Sequence, residues 1–256
     1  MNLHFLVLNM NKNVDRWQTI SNMLNTIPVT YSRIEAIDGF KMEKNKEVLQ
    51  LLECKDKVNL LNQNLYCKTF EQEWKYDGTI KNSFPGLNIV GHEGAKGLIL
   101  SNIKALKECL KINQEYIYAI NDDNKINLNT FQSIFKDTFF KYEWFCILED
   151  DAIINKDIYE SIVKFLDENN NNDLDIVLLD KRVGGGASGV LYNSYIIPQL
   201  IDDLHPLSEF SISMEEKYNH ATLWDWKLWH YINNNDITYL SLPCIESGGF
   251  ESTINI

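Results

Sequence analysis

Leu3-His4-Phe5-Leu6-Val7-Leu8-Asn9 decides how the chain begins to fold, because every residue in it except His4 and Asn9 is apolar. A strand of that kind is covered on both faces, as in a parallel sheet. Helical spacing follows at once. Val14, Trp17, Ile20, Met23, Leu24 and Ile27 fall on one stripe, and Pro28 stops the segment. Tyr31 to Ile37 then alternates as a second strand and closes on the turn pair Asp38-Gly39. The opening is therefore a β-α-β unit.

Working outward, Val48 to Leu61 has a helical pattern, and Tyr66 to Phe84 is polar and aromatic with no period, so residues about 62–92 read as an insertion or flap. Gly94-Ala95-Lys96-Gly97 precedes an amphipathic helix with Leu98, Ile99, Ile103, Leu106 and Leu110 on one stripe. Tyr116 to Ile120 reads as a short strand and Phe131 to Phe140 as a helix. Trp144 to Leu148 is the next buried strand, and it ends abruptly at Glu149-Asp150-Asp151. Beyond it come a helix (Ile158 to Leu166), a polar loop (Asn169 to Asn172), a buried strand (Asp175 to Leu179) and a glycine loop at Gly184-Gly185-Gly186. Val190 to Leu204 reads as a strand running into a helix, Leu223 to Ile232 as a tryptophan-rich helix, and Ile237 to Leu242 as a last strand. Strands alternating with helices predict an α/β fold with a mostly parallel central sheet, helices on both faces, and a single domain over residues 1–256.

Composition narrows the function classes. The 256 residues carry 24 Lys+Arg against 36 Asp+Glu, a net charge of −12, and the only arginines are Arg16, Arg33 and Arg182. Nucleic acid is excluded as the main partner, because such a surface cannot neutralise many phosphates. Runs such as Leu3 to Leu8 are far short of the roughly 18–20 apolar residues of a membrane helix, so no transmembrane segment is expected. The start has no basic region or small-residue cleavage site, so a cytoplasmic location is expected. Cys54, Cys67, Cys109, Cys146 and Cys244 form no C-x-x-C pair and read as free thiols, mostly buried.

The strand ending in Glu149-Asp150-Asp151 brings a carboxylate cluster to the carboxyl end of a sheet, where open α/β folds bind ligands. Clustered carboxylates repel one another unless a cation shares their charge, and oxygen ligands suit Mg²⁺ or Mn²⁺ completed by waters and substrate phosphates. Helix capping and a solvated turn are the plainer readings of the same acids. Asp122 and Asp123 in Asn121-Asp122-Asp123-Asn124 form a second, weaker acidic cluster that is equally a turn. The glycines from Gly184 to Gly189, behind Lys181 and Arg182, lack the P-loop pattern. His92, His205, His220 and His230 lack zinc spacing.

Taken in order, four segments resemble glycosyltransferase family 25, which includes lipopolysaccharide and collagen β-galactosyltransferases. They are Asn9-Met10 with Arg16-Trp17, Arg33-Ile34-Glu35-Ala36-Ile37-Asp38-Gly39, Gly97 to Asn102, and Leu148-Glu149-Asp150-Asp151-Ala152. The later strand, the glycine loop and the Glu251-Ser252-Thr253 tail extend the likeness over nearly the whole chain. Leu98 and Asn102 stand where the family has Cys and His, and Leu65 to Val90 and Asn121 to Lys141 look inserted.

The resemblance implies a GT-A type, Rossmann-like fold. Residues 1–152 would be the nucleotide-sugar-binding half and residues 153–256 the acceptor side. It implies a metal-dependent inverting glycosyltransferase of glycan or lipopolysaccharide biosynthesis, moving a hexose such as galactose or glucose from a UDP-sugar to a glycan or glycolipid acceptor. Asp151 and Glu149 would hold Mn²⁺ or Mg²⁺, and the nucleotide sugar would contact Asn9, Arg16, Arg33, Asp38, Gly39, Ser101, Glu149 and Asp150. Inversion requires a carboxylate general base. Asp225, at a helix start amid Trp224, Trp226 and Trp229, is the first candidate, with Glu251 and Glu246 as rivals. The alternative is a catalytically silent nucleotide-sugar or glycan-binding module, suggested by Leu98 and Asn102.

Overall fold

The computed structural model describes residues 1–41, 93–120, 140–169, 173–181, 187–206, 208–217 and 224–247. In chain order these form β1 (Leu3–Asn9), α1 (Val14–Leu24), β2 (Thr30–Glu35), a 3₁₀ turn (Gly39–Lys41), α2 (Glu93–Ile120), β3 (Trp144–Glu149) and β4 (Ala152–Ile153). They continue with α3 (Ile158–Glu168), β5 (Ile176–Asp180), β6 (Gly189–Asn193), α4 (Ile197–Leu204), α5 (Glu209–Lys217), α6 (Trp224–Asn234) and β7 (Tyr239–Ser247).

The class is α/β, as expected, but the sheet is mixed and not mostly parallel. Its order is β2-β1-β3-β6-β5-β7-β4. β1 runs parallel to β2 and β3, and β5 parallel to β7, whereas β6 runs against both β3 and β5, and β4 against β7. The sequence hides this reversal because β6 is buried along its whole length, and a strand buried on both faces reads the same in either direction.

Alternation along the strands sorts the core onto two faces. Phe5 and Val7 of β1 join Ile20 and Leu24 of α1 and Ile158, Ile162 and Leu166 of α3. Leu6 and Leu8 turn the other way, to Ile99, Ile103 and Leu106 of α2, Leu200 of α4 and Leu228 of α6. β1 is buried throughout, as its apolar run requires. The polar residue within its apolar run, His4, is satisfied by the hydroxyls of Thr30 (2.7 Å) and Ser32 (3.0 Å) and stacks on Tyr142. Cys109 and Cys146 are buried free thiols, and burial pushes both well above the usual thiol range.

Tyr116 to Ile120, expected as a strand, is the C-terminal end of the 28-residue helix α2. Five residues rich in apolar side chains continue a helix as readily as they start a strand, and length alone arbitrates. Near that end of α2, Asn113 donates to the Tyr142 carbonyl and Ser194 Oγ (both 3.0 Å) and accepts the Tyr142 N–H (3.1 Å), tying helix to sheet. The expected helices over residues 48–61 and 131–140 lie outside the described residues, apart from Phe140. Among the described residues no helix is long and apolar enough to cross a membrane.

The pairings bring the carboxyl ends of β1, β2, β3, β5 and β7, and the start of β6, to one edge. Asn9, Glu35, Glu149, Asp180, Ser247 and Gly189 stand along it.

Candidate functional site at the carboxyl edge

Asn9 closes β1 and is fully buried. Its Nδ2 donates to Asp150 Oδ2 at 2.6 Å and to the Asn13 carbonyl at 3.1 Å, so both amide hydrogens are committed and Oδ1 faces the other way. That Oδ1 accepts from Arg33 Nη2 at 2.5 Å. Asp150 also receives Asn13 Nδ2 and, at 3.3 Å on Oδ1, Arg16 Nη1. The Arg33 guanidinium lies over the Trp17 ring, 5.2 Å from its centroid. The structure thus brings together four residues that the sequence suggested from distant segments: Asn9, Arg16, Arg33 and Asp150.

Two further residues belong to this cluster: Asn13, which the sequence reading passes over, and Trp17, which it places in the helical stripe. Asn13 occupies the N-cap of α1, where an asparagine normally accepts a hydrogen bond from its own helix. Here the side chain makes no cap bond and its amide goes to Asp150. Trp17 looked like a core residue in the helical stripe, yet it is the platform beneath Arg33. Its place one residue after Arg16 was visible; its neighbour across the strands was not.

On the opposite face, Gly97 of α2 packs against the Asp38-Gly39 turn so closely that a Cβ there would stand 2.5 Å from the Ile37 carbonyl oxygen. Ser101, one helical turn on, accepts the Ile37 N–H at 2.8 Å and donates to the Gly97 carbonyl at 2.6 Å. It is buried, so its contribution to the edge is to hold the turn. Asp38 accepts the Phe40 N–H at 3.1 Å and meets Lys12 Nζ at 3.5 Å. Asn102, where the resembling family has His, is buried and its amide donates back to the Leu98 carbonyl at 3.0 Å.

Within the acidic turn the three carboxylates have separate surroundings. Glu149 pairs in register with Leu8 and so belongs to the face of α2, while its N–H donates to the Ser188 carbonyl at 3.0 Å. Asp150 is committed to Arg16, Asn9 and Asn13. Asp151 leads into β4, and its Oδ1 is shut off from solvent. Asp180 adds a carboxylate that the sequence reading passed over: it is buried at the end of β5 and accepts the Ser188 N–H at 3.2 Å. An acid at the end of an apolar run was its only signal.

Among the described residues no three His, Cys, Asp or Glu side chains are grouped so as to hold a metal ion. Mg²⁺ and Mn²⁺ do not need such a cage, since one or two carboxylates with waters and substrate phosphates suffice. Glu149 and Asp151 are hard oxygen donors of that kind.

The late carboxylates separate as well. Asp225 is half-buried in the first turn of α6. Its charge is felt by Tyr192, whose phenol is pushed up chiefly by burial. Tyr192 pairs with Phe145 and Ile176, near the amino ends of β3 and β5. Glu246 lies opposite Ile153 in the short ladder that follows the acidic turn, and it pairs with Lys181. Of the tryptophans beside Asp225, Trp224 is core, Trp229 packs edge-on against Tyr239, and Trp226 is exposed. Glu251, Arg182, Gly184 to Gly186, His92, His220, Asp122 and Asp123 lie outside the described residues.

No family model and no curated protein matches this sequence.

Proposed function

We propose that the chain is a metal-dependent inverting glycosyltransferase of GT-A type, transferring a hexose from a UDP-sugar to a glycan or glycolipid acceptor. The observation that carries this reading is the convergence of Asn9, Arg16, Arg33 and Asp150 at the carboxyl edge, from three of the four segments in which the sequence resembles glycosyltransferase family 25. Ligands of open α/β sheets sit at that edge. The turn at Asp38-Gly39, braced by Gly97 and Ser101, belongs to the same end of the molecule.

In this reading Glu149 and Asp151 would hold Mn²⁺ or Mg²⁺, which would supply positive charge to offset that of a diphosphate leaving group. The guanidinium edge beside Asn9 would meet the anionic oxygens of the donor, to which a planar fork of donors binds well. The acceptor hydroxyl needs a carboxylate to take its proton as it attacks. Of the two candidates among the described residues, Asp225 and Glu246, it is Glu246 whose strand pairs directly with the residues after the acidic turn.

The decisive experiment measures UDP release from UDP-galactose and UDP-glucose, with and without Mn²⁺, in the presence of soluble and lipid-linked glycans. Metal-dependent release that is lost in Asp151→Asn is expected. Absence of any stabilisation by UDP or UDP-sugars with Mn²⁺ sinks the reading. Asn102 favours a second one, a binding module without turnover, since its amide is turned into its own helix where the family carries an imidazole. UDP binding with no release or transfer under any acceptor would establish it.

A further inference from the structure

Arg16 and Arg33 stand in the same cluster but in opposite electrostatic states. Arg16 is neutralised by Asp150, and the two side chains are only 16% and 11% exposed. Arg33 is exposed. Its contacts are the neutral Asn9 Oδ1 and the face of Trp17, and among the described residues no carboxylate lies within ion-pair distance of it. Glu35, next along the same face of β2, takes the Asn11 amide instead. In a chain of net charge −12, a guanidinium held in place without an acid is unusual. Stacking on Trp17 fixes its plane, and the single bond to Asn9 leaves most of its five N–H donors directed outward.

We propose that Arg33 is the group at this edge that contacts the anionic part of the ligand, a diphosphate, and that Asp150 and Asn9 are positioning residues for it. The chain of constraint is continuous. Arg16 and Asn13 hold Asp150, Asp150 fixes the Asn9 amide, and Asn9 orients Arg33. Asp150 therefore acts through Arg33 and is not a metal ligand. The identity of the anion rests on the nucleotide-sugar reading; the group that meets it rests on the geometry.

The test is calorimetric titration of the whole chain with pyrophosphate, UDP and uridine, comparing wild type with Arg33→Gln, Arg33→Lys, Asp150→Asn and Lys12→Gln. Loss of charge-assisted bonds predicts that Arg33→Gln binds pyrophosphate and UDP roughly ten- to hundredfold more weakly, with uridine unchanged. Arg33→Lys, which keeps the charge without the fork, should lose several-fold. Asp150→Asn, with Arg33 intact, should weaken both anions while its melting curve stays cooperative. Lys12→Gln removes one charge from the same end and should change little. Wild-type affinity in Arg33→Gln, or equal losses in Lys12→Gln, overturns the proposal. Unchanged anion affinity in Asp150→Asn overturns its positioning half. Pyrophosphate binding that UDP does not share would keep Arg33 as the anion contact and refute the nucleotide reading; binding of neither refutes both.

Discussion

Replacing Gly97 by alanine sets two ordinary effects against each other, and their balance reports how tightly the candidate site is built. Inside a helix, glycine to alanine is worth about 1 kcal/mol of added stability. At this position, however, the new methyl carbon would stand 2.5 Å from the Ile37 carbonyl oxygen, 2.7 Å from the Gly39 nitrogen and 3.1 Å from the Gly39 Cα. All three are backbone atoms, so no side chain can swing aside, and the turn must retreat from α2. Overpacking of this kind costs about 1–3 kcal/mol. The retreat also strains the bond from the Ile37 N–H to Ser101, worth about 1 kcal/mol. The net is a loss of about 1–3 kcal/mol, or a fall in Tm of about 2–6 °C for a chain of this size. Calorimetric melting of the variant measures it. An unchanged or raised Tm would mean that the turn yields freely and that the contact braces nothing. Ser101→Ala should be destabilising alone and less than additive with Gly97→Ala, since both act on one contact.

Truncating Asn113 to alanine strips two donors and one acceptor from a buried junction, so stability should fall by about 2–4 kcal/mol while UDP affinity stays unchanged; urea unfolding and titration together check this. Burial, reinforced by the Lys141 ammonium, lowers the His4 imidazole from 6.5 to about 4. The unfolded chain then binds more protons than the native one between those values. The His4 contribution is therefore intact above pH 6.5 and is lost as pH falls toward 4, by at most about 3 kcal/mol. The stability difference between wild type and His4→Gln should narrow over that range, and parallel curves from pH 7 to 4 would contradict it. Finally, UDP at a hundred times its Kd should add about 2.7 kcal/mol in the presence of Mn²⁺. Chelation with EDTA or the variant Asp151→Asn should abolish that thermal shift, and a shift that survives both would remove the metal from the site.

Periodicity alone carried the reading as far as element type. β1, α1 and β3 declare themselves because each presents a largely apolar run or a helical stripe. Direction is another matter. β6 is as apolar as β3 beside it, and nothing in Gly189 to Asn193 records that it runs the opposite way. Helix α5 was not foreseen because Glu209 to Lys217 is polar enough to pass for loop. The buried pair Lys227 and Ser211, joined at 2.9 Å, was equally invisible, since a lysine amid tryptophans reads as a solvated charge until its partner is known.

The acidic turn shows what kind of information was missing. Glu149, Asp150 and Asp151 are neighbours of nearly the same chemistry, and residue type could not assign them different tasks. Register can. Leu8 pairs with Glu149 and Val7 with Arg33, so Glu149 shares the face of α2 whereas Arg33 shares the face of α1. One residue beyond Glu149 the chain steps to the α1 face, where Asn9 and Arg16 wait, and Asp150 is claimed by them. A shift of one position in the β1–β3 pairing would exchange these roles, because the side-chain period of a strand is two. Which carboxylate of the turn meets the α1 face and which the α2 face is therefore a property of strand pairing, fixed by the apolar residues that set it.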